Sequence, residues 1–246
     1  MKSTERHRLK ENEFARSVAH ARDVIDTRRG DITRIVVAVV ALALVVGGYS
    51  IWRQSLATRA NSALATGLAI FEAPVMTPAA PAPGSPLPVQ QAGTYPTDQA
   101  KFEAALPKLL EAADKYPSAD AGIAARYYAA SALASMGRYA EAEQRFQEVV
   151  DKGGSKIYSR TAKLGVAEAQ VAQGKFDTAI TLYREMSADA NSGMPPDGVL
   201  MELGRACLRA GRKDEAARAF TRVVDEFPQS AYAADAKREL EETKKG

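Results

Sequence analysis

The sequence predicts an all-α protein. Its expected architecture is a helical solenoid of about three and a half hairpin repeats plus a capping helix, carried on a single N-terminal transmembrane helix. Three observations predict this. A motif built on Gly, a small residue and a ring recurs every 37 residues in the C-terminal half. Ala is abundant while aromatic residues make up only 7% of the chain, which favours helix over sheet. Near the N-terminus, 18 consecutive residues carry no charge.

Residues 1–34 read as a charged tail. They hold nine Lys and Arg against six acids, so the whole formal net charge of +3 lies there. The rest of the chain is balanced and lends no support to nucleic-acid binding, which needs a basic patch on the folded part. Within the tail, Leu9, Phe14, Val18, Ala21 and Ile25 fall at nearly helical spacing. An amphipathic helix over 4–29 on the inner leaflet and a solvated tail both remain open, because six interspersed acids weaken attraction to anionic lipid.

Ile35–Trp52 is the predicted membrane span. Eighteen helical residues rise about 27 Å, close to the roughly 30 Å bilayer core. Arg34 and Arg53 bracket the run, and Tyr49 and Trp52 suit the headgroup layer. The long polar region before it predicts an uncleaved anchor and a lipid bilayer as one partner. Nine basic residues precede the span, and only Arg53 and Arg59 follow it before Lys101. That asymmetry predicts a cytoplasmic N-terminus and an exported C-terminal part.

Residues 53–73 follow as a further helix, with Leu56, Ala60, Ala63, Leu64, Leu68 and Phe71 at helical spacing. Residues 74–98 then hold seven of the twelve prolines, which removes amide donors and fixes φ. The expectation is an extended linker or long loop, with a spacer role favoured over a Pro-rich recognition motif because no basic anchor accompanies the prolines. The helix before this break is expected to fold back and pair with a helix over Gln99–Lys115, because the first repeat otherwise lacks its first helix.

Residues 99–246 carry the repeats. "MGRYAEAEQRF", "QGKFDTAITLY" and "AGRKDEAARAF" align on Gly137, Gly174 and Gly211. Ala142, Ala179 and Ala216 come five residues later, and Phe146, Tyr183 and Phe220 nine later. A further copy begins at Ala100, with Phe102, Ala105 and Leu109. Each Gly is expected to end one helix in the left-handed conformation, with the basic residue after it facing that helix's carbonyl end. The small residue and the ring then share one face of the next helix. Such a hairpin cannot bury its own apolar face and must stack on a neighbour.

These units resemble tetratricopeptide repeats (TPRs). The family's small position recurs as Ala130, Ala167 and Gly204, while Arg126, Lys163 and Leu200 replace its Trp. "QSAYAADAKRELEE" resembles the family's capping helix. The resemblance implies a protein-binding groove lined by the first helix of each hairpin. Carried over position by position, it picks Tyr127, Ser131, Leu164, Glu168, Met201, Arg205 and Arg209. The carboxylate-clamp subclass places Lys and Asn at several of these positions, which this chain does not. Arg205 and Arg209, one turn apart, are expected to be open to an acidic group.

No catalytic constellation is visible. The only His residues are His7 and His20, so no histidine base or ligand exists beyond the tail. Gly174-Lys175 is not a phosphate loop, since its nearest upstream Gly is nine residues away and Phe176 follows. Cys207, the single cysteine, reads as a packing residue. No enzyme activity, cofactor or metal is expected. A charged tail, one anchor and an exported TPR-like domain resemble the ancillary subunit family of the bacterial SecYEG translocon. That resemblance implies an inner-membrane adaptor facing the periplasm, with translocon subunits, exported proteins or periplasmic chaperones as partners. The alternative is an envelope assembly or cell-division scaffold, which the "FPQSAYAADAKREL" ending resembles.

Overall fold

The computed structural model describes residues 29–77, 91–152, 156–189 and 193–245. The expected tail helix over 4–29 lies, but for Arg29, outside the described residues, as does the stretch 78–90. The described residues form nine helices and one isolated β-bridge, and the chain divides into two compact units, Met1–Leu56 and Ala57–Gly246.

Helix α1 spans Arg29–Phe71 without interruption. The helix expected over 53–73 is the continuation of the apolar one, ending three residues before Pro74, which together with Ala73 cannot extend it. In the first unit Ile35, Leu44, Val45, Ile51 and Trp52 are all more than half exposed. The helix is long and apolar enough to cross a membrane, and none of its most apolar window is buried against protein.

In the second unit, the end of α1 packs antiparallel on α2 (Asp98–Lys115), as expected. Phe71 meets Phe102 at 5.1 Å between ring centroids, Gly67 abuts Leu109, and Ala60 shares a cluster with Tyr116. A Cβ on Gly67 would lie 2.6 Å from Leu109 Cδ2, so the absent side chain is what lets the helices close. Of the stretch expected as an extended linker or long loop over 74–98, the two described ends lie together. Val75 and Tyr95 form a parallel bridge, with Met76 N–H donating to the Tyr95 carbonyl (2.8 Å) and Tyr95 N–H to the Pro74 carbonyl (3.1 Å). The two limbs of the Pro-rich stretch thus meet, and its ends satisfy each other's backbone groups.

Three hairpins follow: α3 (Asp120–Ser135) with α4 (Tyr139–Lys152), α5 (Lys156–Ala172) with α6 (Phe176–Ala188), and α7 (Pro196–Arg209) with α8 (Lys213–Glu226). Helix α9 (Ala233–Lys245) closes the array by burying Ala233 and Ala236. The three turns are copies. Gly137, Gly174 and Gly211 have φ of 74°, 75° and 74°. In each, the N–H after the Gly reaches the carbonyl five residues back: Arg138 to Leu133, Lys175 to Gln170 and Arg212 to Cys207. This is the bond that closes a Schellman motif. Glycines let the rings in, both between hairpins and within one. A Cβ on Gly165 would fall within 2.8 Å of the Phe146 ring of the preceding hairpin, and a Cβ on Gly204 within 2.8 Å of the Phe220 ring of its own hairpin.

The basic residues after these glycines do not serve mainly as helix-end charges. Lys175 Nζ reaches Glu143 at 2.8 Å, and Arg212 pairs with Asp177. Each joins one hairpin to the one before it. Glu143 also accepts from Gln170 (2.9 Å) and Gln173 (2.8 Å). Arg184 adds a pair with Glu215. Arg138, in the first copy, bonds only within its own turn, to Glu141.

Candidate protein-interaction groove

The first helices of the three hairpins put residues 37 apart side by side. Ser131, Glu168 and Arg205 occupy one such row, and Tyr127, Leu164 and Met201 another. Tyr127, Ser131, Leu164 and Glu168 line a common hollow of about 360 Å³, floored by Phe146 and Gly165. It is open and at the lower end of pockets that enclose small ligands. Glu168 also lines the adjoining hollow, with Tyr183, Glu202, Arg205 and Arg209. Six of the seven predicted groove residues thus lie along two hollows that share Glu168.

Met201 is the exception. It is completely buried, in the same cluster as Ile180, Tyr183 and Ala236, with Leu240 of α9 packed against that cluster. Tyr127 occupies the equivalent position but keeps a hydroxyl that favours the surface; the thioether has no polar tip and gains by burial. Arg205 also differs from expectation. Its guanidinium holds Glu202 at 2.8 Å and lies 3.9 Å from Glu239, so it is engaged within the chain. Arg209 makes no ion pair among the described residues and is exposed.

The electrostatics change along the groove. At the α3 end, a row of rings crosses from the end of α1 to α5. Phe71 packs on Tyr128 at 5.4 Å, and Tyr127 contacts Tyr128 at 5.5 Å, Tyr158 at 5.4 Å and Phe146 at 5.6 Å. Burial raises the Tyr127 hydroxyl above its ordinary value, so it stays protonated and can donate. In the middle, Glu168 accepts no hydrogen bond and joins no ion pair among the described residues. It is exposed to solvent yet lines both hollows, and partial desolvation there raises its carboxyl, with the Glu202 charge adding to the effect. Tyr183 below is raised too, by burial and then by Glu168 and Glu202.

Tyr128, Tyr158 and Phe71 were not among the predicted groove residues. Tyr128 follows a chosen position and Tyr158 lies six before Leu164, so the repeat register could have found both. Phe71 has no register, since it comes from α1. Cys207 is buried, as a packing residue should be, and burial raises its thiol, with Glu215 adding. Among the described residues no group of three or more His, Cys, Asp or Glu could hold a metal ion.

The tetratricopeptide repeat profile matches residues 97–157, 127–195 and 167–231, which together run over more than half of the chain. The helix pairs in those spans are the hairpins described above. Among solved structures, the chain is similar to the nearly identical TPR-like repeats assigned to a kinesin light chain of Podosopora anserina. A form of those repeats carrying one point substitution has 18% identity and a TM-score of 0.50 over 58% of this chain and 77% of that one. The form without that substitution gives 18% identity and a TM-score of 0.49 over the same shares. The MamA RS-1 ArsTM double mutant gives 18% and 0.44 over 59% of this chain and 86% of that one. No curated protein matches the chain. The first of these structures bears on the fold alone; the repeats, their turns and the matched profile carry the assignment: the chain belongs to the tetratricopeptide repeat family, whose arrays bind other proteins.

Proposed function

We propose that the chain is a non-enzymatic TPR adaptor anchored in the bacterial inner membrane through Ile35–Trp52. Residues 1–34 face the cytoplasm and residues 99–246 the periplasm. It binds protein segments in the groove of α3, α5 and α7 and is associated with the protein-export translocon, passing exported proteins to chaperones. The observation that carries the adaptor reading is that the helix bearing the apolar run also completes the first hairpin, through Gly67 on Leu109 and Phe71 on Phe102. Orientation rests on the Lys and Arg asymmetry around the span.

The test is photo-crosslinking in intact membranes from positions 127, 131 and 164, with identification of the captured proteins. Translocon subunits, exported proteins or periplasmic chaperones are expected. Capture of division or outer-membrane assembly proteins would replace the translocon assignment with the envelope-scaffold alternative. Capture of cytoplasmic proteins alone would overturn the topology.

A further inference from the structure

The groove changes character in a fixed order. Its first hollow is aromatic and aliphatic, lined by Tyr127, Phe146 and Leu164. Glu168 stands where the two hollows join. Arg209 lies on the far wall of the second. The other charges of the second hollow are spent: Glu202 and Arg205 hold each other at 2.8 Å, and Glu239 lies behind Arg205. Glu168 and Arg209 are left as charges of opposite sign without an ion-pair partner among the described residues.

We propose that the groove takes an extended peptide that presents an apolar, a basic and an acidic side chain in that order, in either chain direction. The apolar group fills the Tyr127–Leu164 hollow. The basic group bonds Glu168, and the acidic group bonds Arg209. This inference rests on the groove reading above and names the partner's chemistry.

Two observations favour this occupant over a purely apolar or purely acidic one. Glu168 is exposed, lines both hollows with the Glu202 carboxylate beside it in the second, and has no cation bonded to it among the described residues. An incoming cation therefore meets a free acceptor and offsets the repulsion between the two acids. An apolar segment laid over Glu168 would instead bury an unpaired charge, which opposes binding. An all-acidic segment would be repelled at Glu168 and Glu202 before reaching Arg209. Order, not net charge, is what the site would read.

The probes are fluorescein-labelled peptides carrying Phe, Lys and Glu separated by one or two Gly, in both directions. Controls exchange Lys with Glu or replace Lys by norleucine. Fluorescence anisotropy is measured on the full chain in detergent micelles. Peptides with Lys in the middle are expected to bind about tenfold more tightly than those with Glu in the middle, the scale of one charge-assisted hydrogen bond gained and one repulsion avoided. Glu168→Gln, which is isosteric, and Arg209→Gln, which removes the charge of an exposed side chain, should each cut that preference to about threefold or less. Equal binding of both orders, or a preference that survives Glu168→Gln, overturns the inference and leaves the groove reading standing. If no peptide of any order binds, and position 127 crosslinks nothing in membranes, both fall together.

Discussion

Glu143 and Glu168 are two acids with opposite fates. Burial alone would raise the Glu143 carboxyl, but bonds from Lys175, Gln170 and Gln173 outweigh it and hold the group below its ordinary value. Glu168 has no such donors and is raised. The signs follow from linkage. Glu143 contributes stability above the ordinary glutamate range, and that contribution is lost as pH falls through its lowered pKa. Glu168 binds its proton more tightly when folded, so it costs stability as pH rises from the ordinary glutamate pKa through its raised one. Glu168→Gln should therefore raise the melting temperature at neutral pH and leave it nearly unchanged at pH 4. Circular dichroism melts of both proteins from pH 4 to 8 would show the gap opening with pH; a gap of constant size would refute the assignment. Arg126 makes a different point. It occupies the position where the family keeps Trp, is 3% exposed, lies 3.0 Å from Glu148 and donates to the Ala113 carbonyl at 3.1 Å. Its carbon stem fills the space, Nη2 bonds the carbonyl and the Glu148 charge lies beside Nε, so the position stays buried without the ring although Nε and Nη1 make no hydrogen bond among the described residues.

At the scale of elements, the least expected piece is the end of α1. The 37-residue register places the missing first helix of the first hairpin near residues 83–98, inside the Pro-rich stretch that cannot be regular helix there. The chain fills the vacancy with an earlier segment, closing the loop between through the Val75–Tyr95 bridge. Gly67 is the pivot of this substitution. Gly67→Leu should overpack the α1–α2 contact and cost about 1–3 kcal/mol, or roughly 2–12 °C in melting temperature at the rate expected for a chain of this size. Ala65→Leu, on the exposed side of the same helix, should cost almost nothing. Differential scanning calorimetry would separate them, and equal effects would mean that the pairing does not stabilise the array. The hairpins were legible because their physics is local: a left-handed Gly, a small residue and a ring at fixed steps. The bridge was not legible, since one pair of backbone bonds leaves no periodicity. The roles of Lys175 and Arg212 were also missed. The sequence put both next to a helix end, but their partners Glu143 and Asp177 lie more than thirty residues earlier and come near only when hairpins stack.

At the scale of the whole molecule, a stacked array is stabilised by nearest-neighbour interfaces, and its end units need caps. Helix α9 is legible as the C-terminal cap from its charged outer face and from Ala233, Ala236 and Leu240. The N-terminal cap was legible only as the expectation that the first hairpin must borrow a helix. The family resemblance picked seven positions, of which six line the two hollows; Met201 does not, because the resemblance does not say which side chains α9 covers. The cap assignment predicts how fragments behave. A fragment of residues 57–246 keeps the α1 end that covers Leu109, Ala112 and Ala113, and it should unfold in one cooperative transition. A fragment of residues 98–246 exposes that face of α2. It should lose hydrogen-exchange protection across α2 first, with loss spreading to α3, while α7 and α8 stay protected because their core cluster lies wholly among later residues. The apolar face newly exposed should bind a hydrophobic dye that the longer fragment does not. Equal protection of α2 in the two fragments would show that the array begins without the end of α1.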